Sequence, residues 1–396
     1  MSERQVFRPQ SEAEAAEFVA RARADRRKLD VVGNDTRNGL ARPPAGDADI
    51  STAGLAGIVF YEPTEMVIRA GAGTPLSQVE ARIAQSGQML PFEPPDPRPL
   101  YGTSGEPTIG GLIASGFSGP RRISAGALRD SLIGLRFING RGEAIESGGR
   151  VMKNVTGLDL VKIHAGAHGT LGLITQATFK LLPRPEAEAT IIIRHVDAPT
   201  AVTALTRALG SPFGVSGAAY LSAGMGREFP RAVIRIEGFA ESVAYRRDKL
   251  IGLLAEFGAK HAVEGTDSQR MWKSVRDLDY LVSPRERAIW RLSVAPSLGP
   301  QVLMNLRSRA LGHMFDWGGG LVWIAAAPTP EDCAAVRSAI VAVGGHATLI
   351  RAPAALRAQV AVFEPQKPGI AALTKKLRGA FDPDHLFNVG RMEAEA

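Results

Sequence analysis

The sequence predicts an α+β protein made of two domains and a C-terminal tail. Residues 1–185 combine short strand patterns and helix signals with many glycines, and a rigid Pro-Arg-Pro ends this part of the chain. Residues 186–375 alternate strand and helix patterns in a more regular way. Residues 376–396 remain patterned, unlike a frayed terminus. A chain of 396 residues is long enough for this division.

Local signals predict the elements of the first domain in order. Ser11 and Glu14 fit a capping box, so a helix should begin there and run to about Asp25. Thr74 is the expected N-cap of a second helix, with Pro75 as its first residue. Apolar runs bounded by turn residues predict strands near Val6 and at 29–32, 59–63, 66–70, 132–138 and 179–182, with a hairpin turn at 139–142.

Strand patterns and helix patterns also predict the elements of the second domain. Runs rich in isoleucine and valine predict strands at 191–196, 232–237 and 288–294. Helix-period patterns are centred near 198–209, 241–257 and 330–343. These alternating elements indicate an α+β domain that differs in style from the first.

Composition and charge argue against several classes of protein. The 47 basic and 40 acidic residues give a net charge of only +7, and the densest basic cluster, 21–28, contains no aromatic residue. A solvated helix face explains this cluster better than a nucleic-acid surface. The single cysteine, Cys333, cannot form an internal disulfide or hold an iron–sulfur cluster by itself. Without a membrane-spanning run or an apolar signal core, we expect a cytoplasmic protein.

Glycines and other small residues are concentrated between residues 107 and 174. Backbone can approach a flat, phosphate-bearing ligand closely only where side chains are small, so this region predicts a buried cofactor. The loop 33–38 follows a predicted strand and could form a nest of N–H groups for phosphate oxygens, or it could be an ordinary polar turn. The glycine-rich stretch after Pro107 favours the phosphate site.

Other kinds of site are poorly supported. Gly71 and Gly73 lie between a strand and a helix, but the third glycine of a dinucleotide-binding fingerprint is missing. No Gly-Lys-Ser/Thr phosphate loop and no Gly-x-Ser-x-Gly elbow occur in the chain. His164 and His168 are four residues apart, but the glycines around them argue against a helix presenting both to a metal ion. No metal site is therefore predicted.

Four segments in this order, 33–38, 107–119, 153–174 and 381–391, resemble the FAD-linked oxidase superfamily that includes vanillyl-alcohol oxidase and bacterial D-lactate dehydrogenases. The runs 149–160 and 181–185 are similar, more narrowly, to the FAD-binding subunits of glycolate oxidase complexes. The resemblance implies a PCMH-type FAD-binding domain of two subdomains over 1–185. It also implies an α+β cap domain over 186–375 and a tail, 376–396, that returns to the flavin.

The resemblance also assigns roles to residues. It implies that the following residues bind FAD: Gly33, Asn34, Asp35, Thr36, Arg37, Asn38, Thr108, Gly110, Gly111, Ser115, Gly116, Gly119, Gly169, Gly172, Ile174 and Asn388. Relatives with covalent flavin carry histidine in the first loop or cysteine in the later glycine segment. Neither is present at the matching positions, so the FAD should be non-covalent. The paired-histidine metal pattern of related catalytic subunits is also absent.

The activity implied is that of an FAD-binding subunit in an enzyme that oxidises glycolate to glyoxylate. Its partners would be a second flavin subunit and an iron–sulfur subunit, in the cytoplasm or at the inner face of the membrane. If this chain binds the 2-hydroxy acid itself, an arginine should hold the carboxylate, and Arg291 and Arg391 are the candidates. Both could instead be structural. Two alternatives stay open: a self-sufficient 2-hydroxy-acid (for example D-lactate) dehydrogenase, and a non-catalytic, flavin-binding assembly subunit.

Overall fold

The computed structural model describes residues 5–149, 159–224 and 228–393. Its contacts divide the chain into two units, the first within 1–118, 126–184 and 365–396, and the second within 119–125 and 185–364. The segment that rejoins the first unit thus begins at Pro365, earlier than the predicted tail at 376, because a helix precedes the tail. Most of the run 149–160, on which the narrower resemblance rests, lies outside the described residues.

The first unit is built on two main sheets. The strands are β1 (Val6–Phe7), β2 (Leu29–Val32), β3 (Ala48–Ser51), β4 (Ile58–Glu62), β5 (Val67–Gly71), β6 (Gln88–Met89), β7 (Leu132–Ile138), β8 (Ala144–Gly148), β9 (Leu173–Lys180) and β10 (Leu182–Pro183). A parallel sheet has the order β1-β3-β2, and an antiparallel sheet has the order β4-β5-β9-β7-β8. Strands β6 and β10 form a separate antiparallel pair.

Short helices connect these strands. They are α1 (Glu12–Ala24), α2 (Leu76–Ala84), α3 (Arg98–Tyr101), α4 (Ile109–Ser115), α6 (Leu128–Ser131) and α7 (Val161–His164), whereas α5 (Arg122–Ala125) belongs to the second unit. Helix α1 begins as predicted, because the Ser11 hydroxyl accepts a hydrogen bond from the Glu14 N–H at 3.2 Å. Its buried face, which includes Ala15 and Val19, packs against Leu29 of the parallel sheet.

The start of α2 differs from the prediction. The sequence predicts Thr74 as the N-cap, but the helix begins at Leu76 and the residue before it is Pro75. The Thr74 hydroxyl accepts from the Gly57 N–H at 2.9 Å and donates to the Gly57 carbonyl at 3.1 Å. The prediction is wrong because a contact distant in sequence engages the capping side chain.

The second unit contains an eight-stranded antiparallel sheet. Its strands are β11 (Ala187–Arg194), β12 (Val215–Leu221), β13 (Arg231–Gly238), β14 (His261–Glu264), β15 (Ala288–Ser293), β16 (Gly312–Asp316), β17 (Leu321–Ala326) and β18 (His346–Arg351). The order is β14-β11-β13-β12-β16-β17-β15-β18. The helices are α8 (Ala198–Leu209), α9 (Ala240–Leu253), α10 (Gly265–Arg276), α11 (Gly299–Leu306), α12 (Pro330–Val341) and α13 (Ala354–Gln359). Helix α14 (Pro368–Phe381) then leads into the tail.

No helix in the described part of the chain is long and apolar enough to cross a membrane.

A buried ion cluster lies inside the second unit. Glu237 pairs with Arg121 at 2.6 Å and with Arg235 at 3.3 Å, and the side chains of Glu237 and Arg235 are only 8% and 1% exposed. Burial alone would raise the pKa of Glu237, but the charges of Arg235 and Arg121 outweigh it and lower the pKa to about 2. The carboxylate therefore neutralises two buried cations.

Replacing Glu237 by Gln should reduce the free energy of unfolding of the second unit by about 3 kcal/mol at neutral pH, because two buried arginines lose their counter-charge. Since the pKa of Glu237 in the folded protein lies below the ordinary value of 4.5, this stabilisation is present above pH 4.5 and is lost as the pH falls to about 2. Urea titration followed by tryptophan fluorescence measures it, because all four tryptophans, 272, 290, 317 and 323, lie in this unit.

The matched control is Asp267→Asn, which removes a carboxylate that is 73% exposed and 3.4 Å from Arg270. This change should cost less than about 0.5 kcal/mol at any pH. Equal losses in the two variants would contradict the role given to the buried cluster.

Candidate functional site

A cavity in the first unit is lined by the loop 33–38, by helix α4, by the turn 168–172 and by the tail. Every predicted cofactor residue except Gly116 and Gly119 lines it: Gly33, Asn34, Asp35, Thr36, Arg37, Asn38, Thr108, Gly110, Gly111, Ser115, Gly169, Gly172, Ile174 and Asn388. Segments far apart in sequence therefore meet at one place.

The parallel sheet explains why the loop 33–38 reaches this cavity. The loop follows the carboxyl end of β2, and Thr52 follows the carboxyl end of the neighbouring strand β3. Both line the cavity. Ligands of parallel sheets commonly bind outside the carboxyl ends of the strands, where loops offer free backbone groups.

The backbone of this loop offers unused hydrogen-bond donors. Among the described residues, the N–H groups of Asn34, Asp35, Thr36 and Arg37 have no acceptor. Asp35 has a positive φ of 55°, which turns the chain sharply at this point. Successive N–H groups in such a turn form a concave anion site.

The guanidinium of Arg37 adds to these donors. Its Nε and Nη2 atoms are buried without a hydrogen-bond partner in the described part of the chain, and Nη1 makes only a 3.4 Å contact to the Thr36 hydroxyl. Burial lowers the pKa of Arg37 to about 10, although the charges of Tyr101 and Asp96 oppose the shift. A buried cation with free N–H groups fits an anionic ligand that would supply both charge and acceptors.

Helix α4 contributes small side chains rather than free donors. The Thr108 hydroxyl accepts from the Gly111 N–H at 3.3 Å, and the N–H groups of Ile109 and Gly110 donate to Thr74 and Ala72 at 3.0 and 2.7 Å. The start of the helix is thus satisfied by the chain itself. The donors for an anion come from the loop 33–38 and from Arg37.

The tail closes the cavity through Asn388. Its Oδ1 accepts from the Val31 N–H at 2.8 Å, and its Nδ2 donates to the His168 carbonyl at 2.6 Å. The amide therefore joins the end of β2 to the turn 168–172. Asn388 lines the cavity, but these two contacts make it a positioning residue.

Arg391, a candidate for binding the substrate carboxylate, also lines the cavity. Its Nη1 donates to the Arg42 carbonyl at 2.7 Å, and the Arg42 N–H donates to the Arg391 carbonyl at 3.1 Å. These contacts hold the tail to the segment after the loop 33–38, which favours the structural alternative for this arginine.

His168 lies in the cavity wall, although it is not one of the cofactor-binding residues predicted from the sequence. Burial and the positive charge of Arg391 lower its pKa to about 3, so the imidazole is neutral at pH 7. His164 lies elsewhere, buried in the core with its ring 4.1 Å from that of Phe137. The two histidines thus have different surroundings despite their spacing.

Three predicted residues are not brought to the cavity. Gly116 ends α4 in the left-handed conformation, and a Cβ there would lie 3.0 Å from the backbone of Gly166. Gly119 belongs to the second unit and accepts a hydrogen bond from the Trp317 indole at 3.2 Å. Arg291, the other carboxylate candidate, lies on β15 of that unit.

Other cavity residues were not predicted: Asp30, Val31, Val32, Leu40, Pro44, Asp49, Thr52 and Ala114. Ala114 could have been found, because it lies one helical turn after Gly110 and Gly111. The others carry no local signal, since they belong to a strand or to connections whose neighbours are set by the fold. Apolar walls beside free donors suit a ligand with flat rings and a pyrophosphate.

Known proteins are similar to this chain in sequence and in fold. Residues 4–148 match the family model described as FAD binding domain. The chain is 36% identical to the glycolate oxidase subunit GlcE of Escherichia coli over 380 residues, which cover 96% of each chain. It is 40% identical to the glycolate oxidase subunit GlcD of Bacillus subtilis over 101 residues, 26% of this chain and 21% of the relative.

A D-lactate dehydrogenase of Anaerostipes hadrus is 28% identical over 171 residues, 42% of this chain and 34% of that protein. Among solved structures, an alkyldihydroxyacetonephosphate synthase has a TM-score of 0.70 at 15% identity, covering 97% of this chain and 76% of the other. That likeness shows the fold alone. The extended match to GlcE shows more: the chain belongs to the family of the glycolate oxidase subunit GlcE, within the FAD-linked oxidoreductases.

Proposed function

We propose that this chain is the FAD-binding subunit of a heteromeric glycolate oxidase, which converts glycolate to glyoxylate. The observation that carries the proposal is the set of unused donors in the cavity, the N–H groups of residues 34–37 and the buried guanidinium of Arg37. A pyrophosphate would satisfy them. The relatives supply the substrate class, since two of them are named as glycolate oxidase subunits.

Bound FAD would supply the acceptor for a hydride from C2 of the acid. The protein's own residues would do the rest. The loop 33–38 and Arg37 would hold the pyrophosphate, and the small residues of α4 would leave room for flat rings. Neutral His168 would add no positive charge to a cavity that already contains Arg37. Asn388 would keep the two sides of the cavity together.

The partners belong to the same proposal. The chain would pass electrons to a second flavin subunit and to an iron–sulfur subunit, in the cytoplasm or at the inner face of the membrane. The likeness to D-lactate dehydrogenases supports a second candidate, in which the chain oxidises a 2-hydroxy acid by itself. An assembly role that retains FAD without catalysis is the third.

Anaerobic titration with glycolate separates these roles. The full chain should be purified both alone and together with its two partner subunits, and its flavin absorption recorded before and after addition. We expect a flavin spectrum in each sample and bleaching when the partners are present.

Bleaching of the chain alone would support the self-sufficient enzyme, and parallel addition of D-lactate would identify its substrate. Oxidation by the complex after removal of flavin from this chain would indicate assembly only. Failure to bind added FAD would contradict the proposal.

Replacing Arg37 by Met should affect the free and loaded protein in opposite ways. Loss of charged hydrogen bonds should raise the Kd for FAD by about 10- to 100-fold. The FAD-free chain should be as stable as wild type or more stable, because a buried unpaired charge has been removed. Fluorescence titration with FAD and thermal unfolding measure the two effects.

Arg82→Met is the control, since Arg82 is an exposed arginine of the same unit that lies over the Tyr61 ring. It should leave both quantities unchanged. A loss of apoprotein stability in Arg37→Met, with unchanged FAD affinity, would make Arg37 a structural residue.

The mode of FAD attachment can be tested by denaturation. The one cysteine, Cys333, lies in the second unit, and the loop 33–38 contains no histidine. Acid precipitation should therefore release all the flavin into the supernatant, as measured by its fluorescence. Flavin remaining with the pellet would indicate a covalent bond, and His168→Ala would then test the histidine in the cavity wall.

A further inference from the structure

Two arginines of the second unit lie over the same indole ring. The guanidinium carbons of Arg122 and Arg291 are 4.2 and 5.2 Å from the centre of the Trp317 ring. Arg122 is exposed and Arg291 is half-buried, whereas Trp317 is only 8% exposed. The pair thus borders solvent on one side and an apolar wall on the other.

The position of Trp317 is fixed by several contacts. Its N–H donates to the Asp316 carboxylate at 2.7 Å, and its indole N–H donates to the Gly119 carbonyl at 3.2 Å. Its φ is +53°, a conformation that costs free energy in a bulky residue and persists only where the surroundings impose it. Such strain is common where a side chain must be held in one place.

These two arginines differ from Arg121 and Arg235, each of which is paired with Glu237. Within the described residues, neither the Arg122 nor the Arg291 guanidinium has a hydrogen-bond acceptor or a carboxylate partner. Three acids of the same unit have partners elsewhere: Asp316 accepts from Trp317, Glu237 pairs with Arg121, and Glu364 pairs with Arg337. Arg121 and Arg122 are neighbours in sequence, yet among the described residues only Arg121 has a carboxylate partner.

The positive charges of Arg122 and Arg291 repel each other. Burial and the charge of Arg122 lower the pKa of Arg291 to about 10. The charge of Arg291, after partial burial, also lowers the pKa of His346. Arg291 remains charged at neutral pH, because its pKa still lies well above 7. An anion placed between the two arginines would relieve their repulsion and provide acceptors for their N–H groups.

We infer that Arg122 and Arg291 together bind the carboxylate of a small organic acid, with the Trp317 indole as the apolar wall of the site. A planar guanidinium matches a carboxylate through two parallel hydrogen bonds, so two guanidinium groups beside an apolar wall suit a small carboxylic acid. Glycolate is the first acid to test, and that choice rests on the proposed function.

Calorimetric titration of the FAD-loaded full chain with glycolate tests the site directly. Arg291→Gln and Arg122→Gln should each raise the Kd for glycolate by about 10- to 100-fold. Arg291→Lys, which keeps the charge but loses the paired geometry, should fall between wild type and Arg291→Gln. Binding of the neutral analogue glycolamide should be weak and the same in all variants.

Arg194→Gln is the matched control. Arg194 is an exposed arginine of the same unit whose guanidinium lies 5.5 Å from the centre of the Phe229 ring. It is an arginine over an aromatic ring that lies outside the proposed site, so its replacement should not change the Kd. An unchanged tryptophan fluorescence spectrum in each variant would show that the unit is folded.

Several outcomes would overturn the inference: no carboxylate binding by the wild type, unchanged Kd values in both glutamine variants, or equal losses in Arg194→Gln. Inorganic phosphate that competes as well as glycolate would replace the carboxylate site with a general anion site.

The proposed function is tested separately by glycolate oxidation in the complex. Normal oxidation and KM in the glutamine variants would contradict only the carboxylate site. Arginine-dependent binding without oxidation would contradict only the proposed function.

Discussion

The hydrogen bonds between the C-terminal tail and strand β2 are the constraint on which the cavity depends. The Leu29 N–H donates to the Leu386 carbonyl and the Asn388 N–H donates to the Leu29 carbonyl, both at 2.8 Å. The tail thus forms a single parallel bridge to β2, and the Asn388 side chain extends the contact to Val31 and His168. The loop 33–38 begins directly after β2, two residues beyond Val31. Its position is therefore set by residues more than three hundred positions away.

The tail is itself shaped by a buried carboxylate. Asp382 accepts from the N–H groups of Leu386 and Phe387 at 2.8 and 2.9 Å, which folds the chain before it enters the sheet. Phe387 is completely buried and packs with Leu29 in the core of the parallel sheet. Burial of this ring supplies the free energy that holds the tail in place, and the directional hydrogen bonds determine its register.

Arginines in the two units show how charge compensation distinguishes structure from binding. Arg121 and Arg235 are buried beside Glu237, so the protein satisfies them internally. Arg37 and Arg291 have no such carboxylate among the described residues, and each has a pKa lowered mainly by burial. Maintaining these charges costs free energy in the folded protein. A preorganised anion site requires charges of this kind, whose partner is the bound ligand.

Elements that depend on local signals could be predicted from the sequence, whereas the other elements depend on contacts between distant parts of the chain. Helix α8 spans the predicted 198–209, and α1 begins at its predicted cap, because capping and helix periodicity act over a few residues. Strands β12 and β17 were not predicted. They are buried on both faces, so they show no alternation of polar and apolar residues.

The site also has features that could be predicted from the sequence and features that depend on the fold. Glycine positions could be found in the sequence, and with the family resemblance they indicated segments that line the cavity. The steric reason for each glycine could not be found in the sequence. A Cβ at Gly33 would lie 2.6 Å from the Thr108 hydroxyl, and one at Gly169 would lie 2.5 Å from the Asn388 amide. These glycines make room for other parts of the chain, and only the tertiary structure decides which residues meet.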